Sequence, residues 1–165
     1  MGPVLSTVDA RQLSRELDLV AQSAASVEEL MSVMVARLRE RMPRYDWVGF
    51  YMIEAGRGGQ PDMLVLGPYI GAQTPHKRIP LDQGICGAAA SSGQTVVVDD
   101  VSRDPRYLAC SIQTRSEIVV PVYVKGKVVG ELDIDSHTPA AFSADDRRLV
   151  EHCAELVGRY LETSA

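Results

Sequence analysis

The chain has no hydrophobic run near the ~18 residues that a membrane-spanning helix needs. It has no basic excess either: 17 Lys and Arg stand against 22 Asp and Glu, for a net charge of −5. With neither a phosphate-contacting patch nor a polybasic run, nucleic acid and anionic membranes are not expected as partners. The first ten residues lack the basic flank and apolar stretch of a signal peptide. Cysteine is scarce. Cys86, Cys110 and Cys153 are odd in number and widely spaced, which is neither a disulfide framework nor the paired spacing of a zinc site. A reducing, cytoplasmic location is expected. No repeat, low-complexity segment or linker interrupts the chain.

What is present reads as an ordinary globular domain. The 165 residues are 45% hydrophobic and 24% charged, and a chain of this size buries roughly 70% of its unfolded surface without staples. One domain over residues 1–165 is expected, with its core at about 20–162.

Two helices open the chain. Residues 8–24 carry Leu13, Leu17, Val20 and Ala24 at helical spacing. Ser26, with Glu29 three residues on, is a capping-box signature. It opens a second stripe of Val27, Leu30, Met31, Met34, Val35 and Leu38, which Pro43 ends. Five strands follow from β-rich runs: Trp47–Glu54, Met63–Ile70, Thr95–Asp99, Glu117–Val124 and Lys127–Ser136. Between them lie a Pro- and Gly-containing stretch over 71–84, a short Ala-rich helix over 85–92, and a loop over 101–115. A loop that long in a compact domain is usually functional or disordered. A final helix starts at Ser143 and presents Leu149, Val150, Cys153, Leu156, Val157 and Tyr160. The fold class is α+β: an antiparallel sheet with the N- and C-terminal helices on one face.

The last hairpin concentrates acid. Alternation along Lys127–Ser136 puts Val128, Gly130, Leu132 and Ile134 on one face and Val129, Glu131, Asp133 and Asp135 on the other. A plain two-residue turn at Lys125-Gly126 would set Glu117 opposite Ile134 and mix the faces. An odd-length loop, or a bulge using Gly126 at positive φ, restores the match and places Glu117 with Asp133 and Asp135. Pro121 then belongs at an edge or a bulge. The face is either solvated or built to receive something positive, since like charges on neighbouring strands repel. A substrate ammonium suits it better than a metal, because no histidine lies on these strands.

The cysteines differ. Cys153 falls on a helix stripe and reads as core. Cys86, in Gly84-Ile85-Cys86-Gly87, is either packed between glycines or activated by a helix N-terminus. Cys110 lies in the long loop just before Glu117, as an apolar anchor or as a nucleophile. Nearby carboxylates would hold its pKa up until a cationic substrate offsets them.

Several segments together resemble the GAF-domain family of free methionine-(R)-sulfoxide reductases. They are Trp47-Val48-Gly49-Phe50-Tyr51, Leu66-Gly67-Pro68-Tyr69-Ile70-Gly71, Arg78-Ile79-Pro80, Gly84-Ile85-Cys86-Gly87, Ala109-Cys110, Ser116-Glu117-Ile118-Val119-Val120-Pro121 and Gly130-Glu131-Leu132-Asp133-Ile134-Asp135-Ser136. The resemblance implies a six-stranded antiparallel GAF sheet and a homodimer. It also implies reduction of free L-methionine (R)-S-oxide to L-methionine through a cysteine sulfenic acid, without a cofactor. By position, Cys110 matches the nucleophile. Glu117, Asp133 and Asp135 match the acids that hold the ammonium and help protonate the leaving oxygen. Trp47 and Tyr51 match the aromatic wall around the methyl end.

Three positions depart from the pattern: Ser111 follows Cys110 where Asp is common, Asp82 replaces the usual small residue two before Gly84, and the third is His76. Where three-cysteine members carry a resolving cysteine, this chain has His76. Recycling would then use Cys86 as the candidate resolving thiol, a small thiol, or direct attack by thioredoxin. His76 is either a surface residue or an aid to the Cys110 thiolate. The competing reading is a non-catalytic GAF module that binds a small polar ligand or senses oxidants through Cys110. A metal site from His76, Cys86 and Cys110 is a third.

Overall fold

Capping side chains set the helix boundaries. Ser26 Oγ accepts from the Glu29 backbone N–H at 3.1 Å, while the Glu29 carboxylate reaches back to the Ala25 N–H. Ser143 and Asp146 make the reciprocal capping box of the last helix. The computed structural model describes residues 7–108 and 112–164. Its elements are α1 Thr7–Ser23, α2 Val27–Arg41, β1 Trp47–Glu54, β2 Met63–Ile70, β3 Arg78–Pro80, α3 Gly84–Ser92, β4 Val96–Val98, β5 Ser116–Val124, β6 Lys127–Ser136 and α4 Ala144–Thr163. The expected elements are all found, with ends shifted by one or two residues.

The six strands form one antiparallel sheet in the order β3-β2-β1-β6-β5-β4. Alternation in the sequence yields only five of them. The sixth, β3, is three residues long and ends on Pro80 within the Gly/Pro stretch, too short to show a period. It is an edge strand, where a proline is tolerated.

The sheet has two unlike faces. On one, Val48, Phe50, Ile118, Val120, Val122, Leu132 and Ile134 pack beneath α1, α2 and α4 as the main core. Leu13, Leu17, Leu30, Met34, Leu38, Val150, Cys153 and Val157 fill it from the helices. Cys153 is fully buried there, a core residue as its place on the stripe predicts. The other face is covered by α3 and holds a smaller cluster around Trp47, Tyr51, Ile85, Cys86, Ala89 and Val119.

The β5–β6 register is the one the apolar pattern requires. The turn at Lys125 (φ 51°) and Gly126 (φ 77°) has two residues, with Val124 paired to Lys127 and Tyr123 to Val128. The pairing then slips, so that Val122 meets Gly130. The extra residue is Val129. The bulge therefore sits inside the hairpin, not at Gly126. One inserted residue is enough to move Glu117 from Ile134 to Asp135, because side chains alternate with period two. Pro121 lies past the end of β4, whose ladder stops at Val119, as its missing N–H demands.

Candidate active site

Three cross-strand rows build the face beneath α3. In the first, Trp47 on β1, Asp135 on β6 and Glu117 on β5 stand side by side. In the second, Asp133 lies between Gly49 and Val119. In the third, Glu131 lies between Tyr51 and Pro121. Directly opposed residues of antiparallel strands share a face. Four carboxyl groups thus point to one side of the sheet, and each is at most 4% exposed.

The small residue in the middle row keeps the aromatic wall in place. A Cβ at Gly49 would strike the Trp47 ring and come within 2.7 Å of the Tyr69 Cβ. Trp47 stacks on Tyr69 with centroids 5.5 Å apart and on Tyr51 at 6.2 Å. Its Nε1 donates to the Ala72 carbonyl at 3.1 Å. The Tyr51 hydroxyl donates to the His76 carbonyl at 2.7 Å, and the His76 N–H donates to Thr74 Oγ1 at 3.1 Å. The half-buried His76 thus ties its loop to the aromatic wall through its main chain. A cavity of about 220 Å³ opens beside this wall, with Trp47, Thr74, Thr114 and Asp135 in its lining. A larger groove of about 410 Å³ runs past Pro121, Tyr123 and α4, lined by none of the four acids.

Cys86 enters from above, on the first turn of α3, and is 7% exposed. Its thiol donates to Asp133 Oδ2 at 3.4 Å. The Cys86 sulfur and a carboxylate oxygen each from Glu117 and Asp133 lie within 4.8 Å of one another. Among the described residues this is the one place where such donors crowd closely enough to grip a small cation, and no imidazole belongs to the set. Cys110 lies outside the described residues, as do its neighbours Ala109 and Ser111.

Electrostatics make this cluster costly. Burial, then the charges of Asp133 and Asp135, push the Glu117 carboxyl well above its usual range. Burial and Asp133 do the same to Asp135 and to Glu131. Burial raises Asp133 as well, opposed by its contacts with Glu117 and Cys86. Oxygens of Glu131, Asp133 and Asp135 are buried without a hydrogen bond. Burial and mutual repulsion favour the protonated forms in such a set, and an entering positive group opposes both. The helix N-terminus that would favour a Cys86 thiolate is overridden: burial and the charges of Asp133, Glu131 and Glu117 push that thiol well up.

The chain has counterparts among known proteins. A model of the GAF domain matches residues 26–161. Free methionine-R-sulfoxide reductase from Escherichia coli is 32% identical over 152 residues, covering 92% of this chain and 88% of that protein. The X-ray structure of free methionine-R-sulfoxide reductase from Neisseria meningitidis in complex with its substrate superposes with a TM-score of 0.89 at 32% identity, over 99% of this chain and 95% of that one. This chain is a GAF domain of the free methionine-R-sulfoxide reductase family. The type II free methionine-R-sulfoxide reductase from Thermoplasma acidophilum is 38% identical, with a TM-score of 0.75 over 84% of this chain and 96% of that one.

Within this family framework, the structure brings together Glu117, Asp133 and Asp135, with Cys86 above them and Trp47 and Tyr51 alongside. Two neighbours of the site received no role from the sequence. Glu131 shows in the period-2 alternation, but nothing there separates it from a solvated acid. Tyr69 stands in the Leu66–Gly71 motif, and only the β1–β2 pairing reveals that it backs Trp47.

Proposed function

We propose that this chain reduces free L-methionine (R)-S-oxide to L-methionine, with Cys110 as nucleophile and Cys86 as resolving thiol. One observation carries the reading: Glu117, Asp133 and Asp135 share a buried face, Asp133 and Asp135 each keep an oxygen without a hydrogen bond, and no cation among the described residues stands with them. A free amino acid supplies the ammonium that such a face lacks. A peptide-bound residue does not, so the cluster selects the free form. Trp47 and Tyr51 offer an aromatic wall for the methyl end of the substrate.

Cys110 attacks the sulfoxide sulfur, and as the adduct collapses the new S–S bond and the substrate S–O bond break while an S–O bond forms on Cys110, releasing methionine and leaving a sulfenic acid. The substrate sulfur is reduced by two electrons and Cys110 is oxidised by two. The entering ammonium favours ionisation of the acids; the proton they give the departing oxygen is matched by the one the Cys110 thiol loses on attack. Cys86 then displaces water from the sulfenic acid, and a dithiol such as thioredoxin, or a small thiol, reopens the disulfide. Tyr107 and Leu108 support this pairing. They pack in the same cluster as Cys86, and Cys110 follows Leu108 by two residues in the sequence.

The test is direct. Purified protein is incubated with each sulfoxide epimer of free methionine and dithiothreitol, and methionine is quantified. Turnover of the R epimer alone, abolished in Cys110→Ser, is expected. Absence of methionine from the R epimer refutes the reading.

A further inference from the structure

The cavity beside the aromatic wall is lined by charges of both signs. Asp135 is 3% exposed, and its Oδ1 lacks a hydrogen bond. Arg39, exposed on the last turn of α2, lines the same cavity. Two main-chain contacts hold it there. Arg39 Nε donates to the Asp46 carbonyl at 3.1 Å, and the Asp46 N–H donates to the Asp135 carbonyl at 3.0 Å. The Asp46 carboxylate is itself engaged: Oδ2 accepts from the His137 N–H at 2.7 Å, and Oδ1 lies 3.7 Å from His137 Nδ1. Among the described residues, neither terminal nitrogen of Arg39 has a hydrogen-bond partner, and no acid pairs with it. The reduction as described uses Asp135 and leaves this guanidinium idle.

We propose that Arg39 receives the α-carboxylate of the substrate while Asp135 and its neighbours hold the ammonium. An α-amino acid carries its two charges on one carbon, so a site for the free form needs an anion and a cation at the same small cavity. At about 220 Å³ the cavity falls below the roughly 300–1,000 Å³ of a drug-sized site, a size that suits one amino acid. A guanidinium stays charged at any working pH and meets a carboxylate through two parallel N–H donors. With Nε committed to Asp46, the two terminal nitrogens provide that fork. The clamp reads both ends of the substrate. The acids discriminate against an acylated amine, and Arg39 discriminates against a carboxyl group converted to an amide or ester. The inference rests on free methionine sulfoxide as the substrate and requires nothing of how Cys110 is recycled.

The test removes each partner in turn. Wild-type protein, Arg39→Met and Arg39→Lys are assayed with dithiothreitol on the R sulfoxides of free methionine and of methioninamide, and kcat and KM are separated. With the free substrate, Arg39→Met is expected to raise KM about tenfold with kcat nearly unchanged. That is the lower end for a hydrogen bond to a charged group, because the guanidinium is solvent-exposed. Arg39→Lys, which keeps the charge without the fork, should recover part of the loss. With the amide, wild type and Arg39→Met should have equal KM, since the group that Arg39 reads is gone. An unchanged KM for the free substrate in Arg39→Met overturns the clamp. So does an equal rise for acid and amide, which marks a structural role. If wild type releases no product from either sulfoxide, the parent reading fails, and the clamp is judged by binding alone. Trp47, the one tryptophan, lines the cavity, so its emission reports L-methionine and L-methioninamide. A preference of wild type for the acid that Arg39→Met loses upholds the clamp, and the absence of either overturns it.

Discussion

Replacing Glu131 with methionine is expected to stabilise the fold. The side chain is fully buried and both its oxygens lack hydrogen bonds. A buried polar group without a partner costs about 1–3 kcal/mol. Methionine keeps a comparable unbranched length and adapts to irregular surroundings, so little of that gain should be returned as a cavity. In a chain of this size each kcal/mol shifts Tm by about 2–4 °C, so a rise of roughly 2–12 °C is expected. The sign of the pH dependence follows from the direction of the Glu131 shift. Burial and the neighbouring Asp133 raise the folded carboxyl above its unfolded value, against a weaker contribution from Cys86. The folded state therefore binds more protons than the unfolded one between those two values, and wild-type stability falls as pH rises through that window. The variant escapes this loss. Its advantage should be smallest near about pH 5 and should grow toward about pH 8, by up to about 1.4 kcal/mol per pH unit within the window. Thermal or urea unfolding of both proteins at the two pH values decides it. A lower Tm for Glu131→Met at the higher pH, or a gain that does not change with pH, would refute the reasoning.

Two further outcomes follow from the packing. Gly49→Ala should cost about 1–3 kcal/mol, typical of an over-packed site. Its new Cβ strikes the Trp47 ring, and because Trp47 is the one tryptophan of the chain, a shifted emission spectrum together with a lowered Tm checks this. Cys153 is fully buried in the main core, and burial raises its thiol pKa. It should resist N-ethylmaleimide in the native protein and react only as fast as the chain unfolds, as peptide-level mass spectrometry can follow.

Most of the fold was legible from periodicity, because most of its elements are long enough to repeat. The apolar stripes of α2 and α4 and the alternation along β6 each run for several periods, and the capping residues Ser26 and Ser143 mark where helices begin. The β3 strand was not legible, since three residues beside a proline carry no period. The bulge was required by the pattern, but its position was not. The apolar faces demand one extra residue in the hairpin, and they are satisfied equally by several places to put it. The structure puts it at Val129.

The sequence by itself determined which acids share a face. Side-chain direction alternates along a strand, and the need to bury Ile118, Val120, Leu132 and Ile134 together leaves one register for Glu117, Asp133 and Asp135. It also placed Cys153 in the core, because helical spacing puts it on the buried stripe of α4. Only the tertiary structure decided the electrostatic character of the site. Whether a strand face is wet or dry depends on what covers it, and here that is α3, carrying Cys86. That covering turns an acidic strand face into a buried set of carboxyl groups whose pKa values are pushed up. It leaves Glu131 without a hydrogen bond beside a thiol, and it reverses the effect on Cys86, because burial and three nearby carboxyl groups outweigh one short helix's N-terminus.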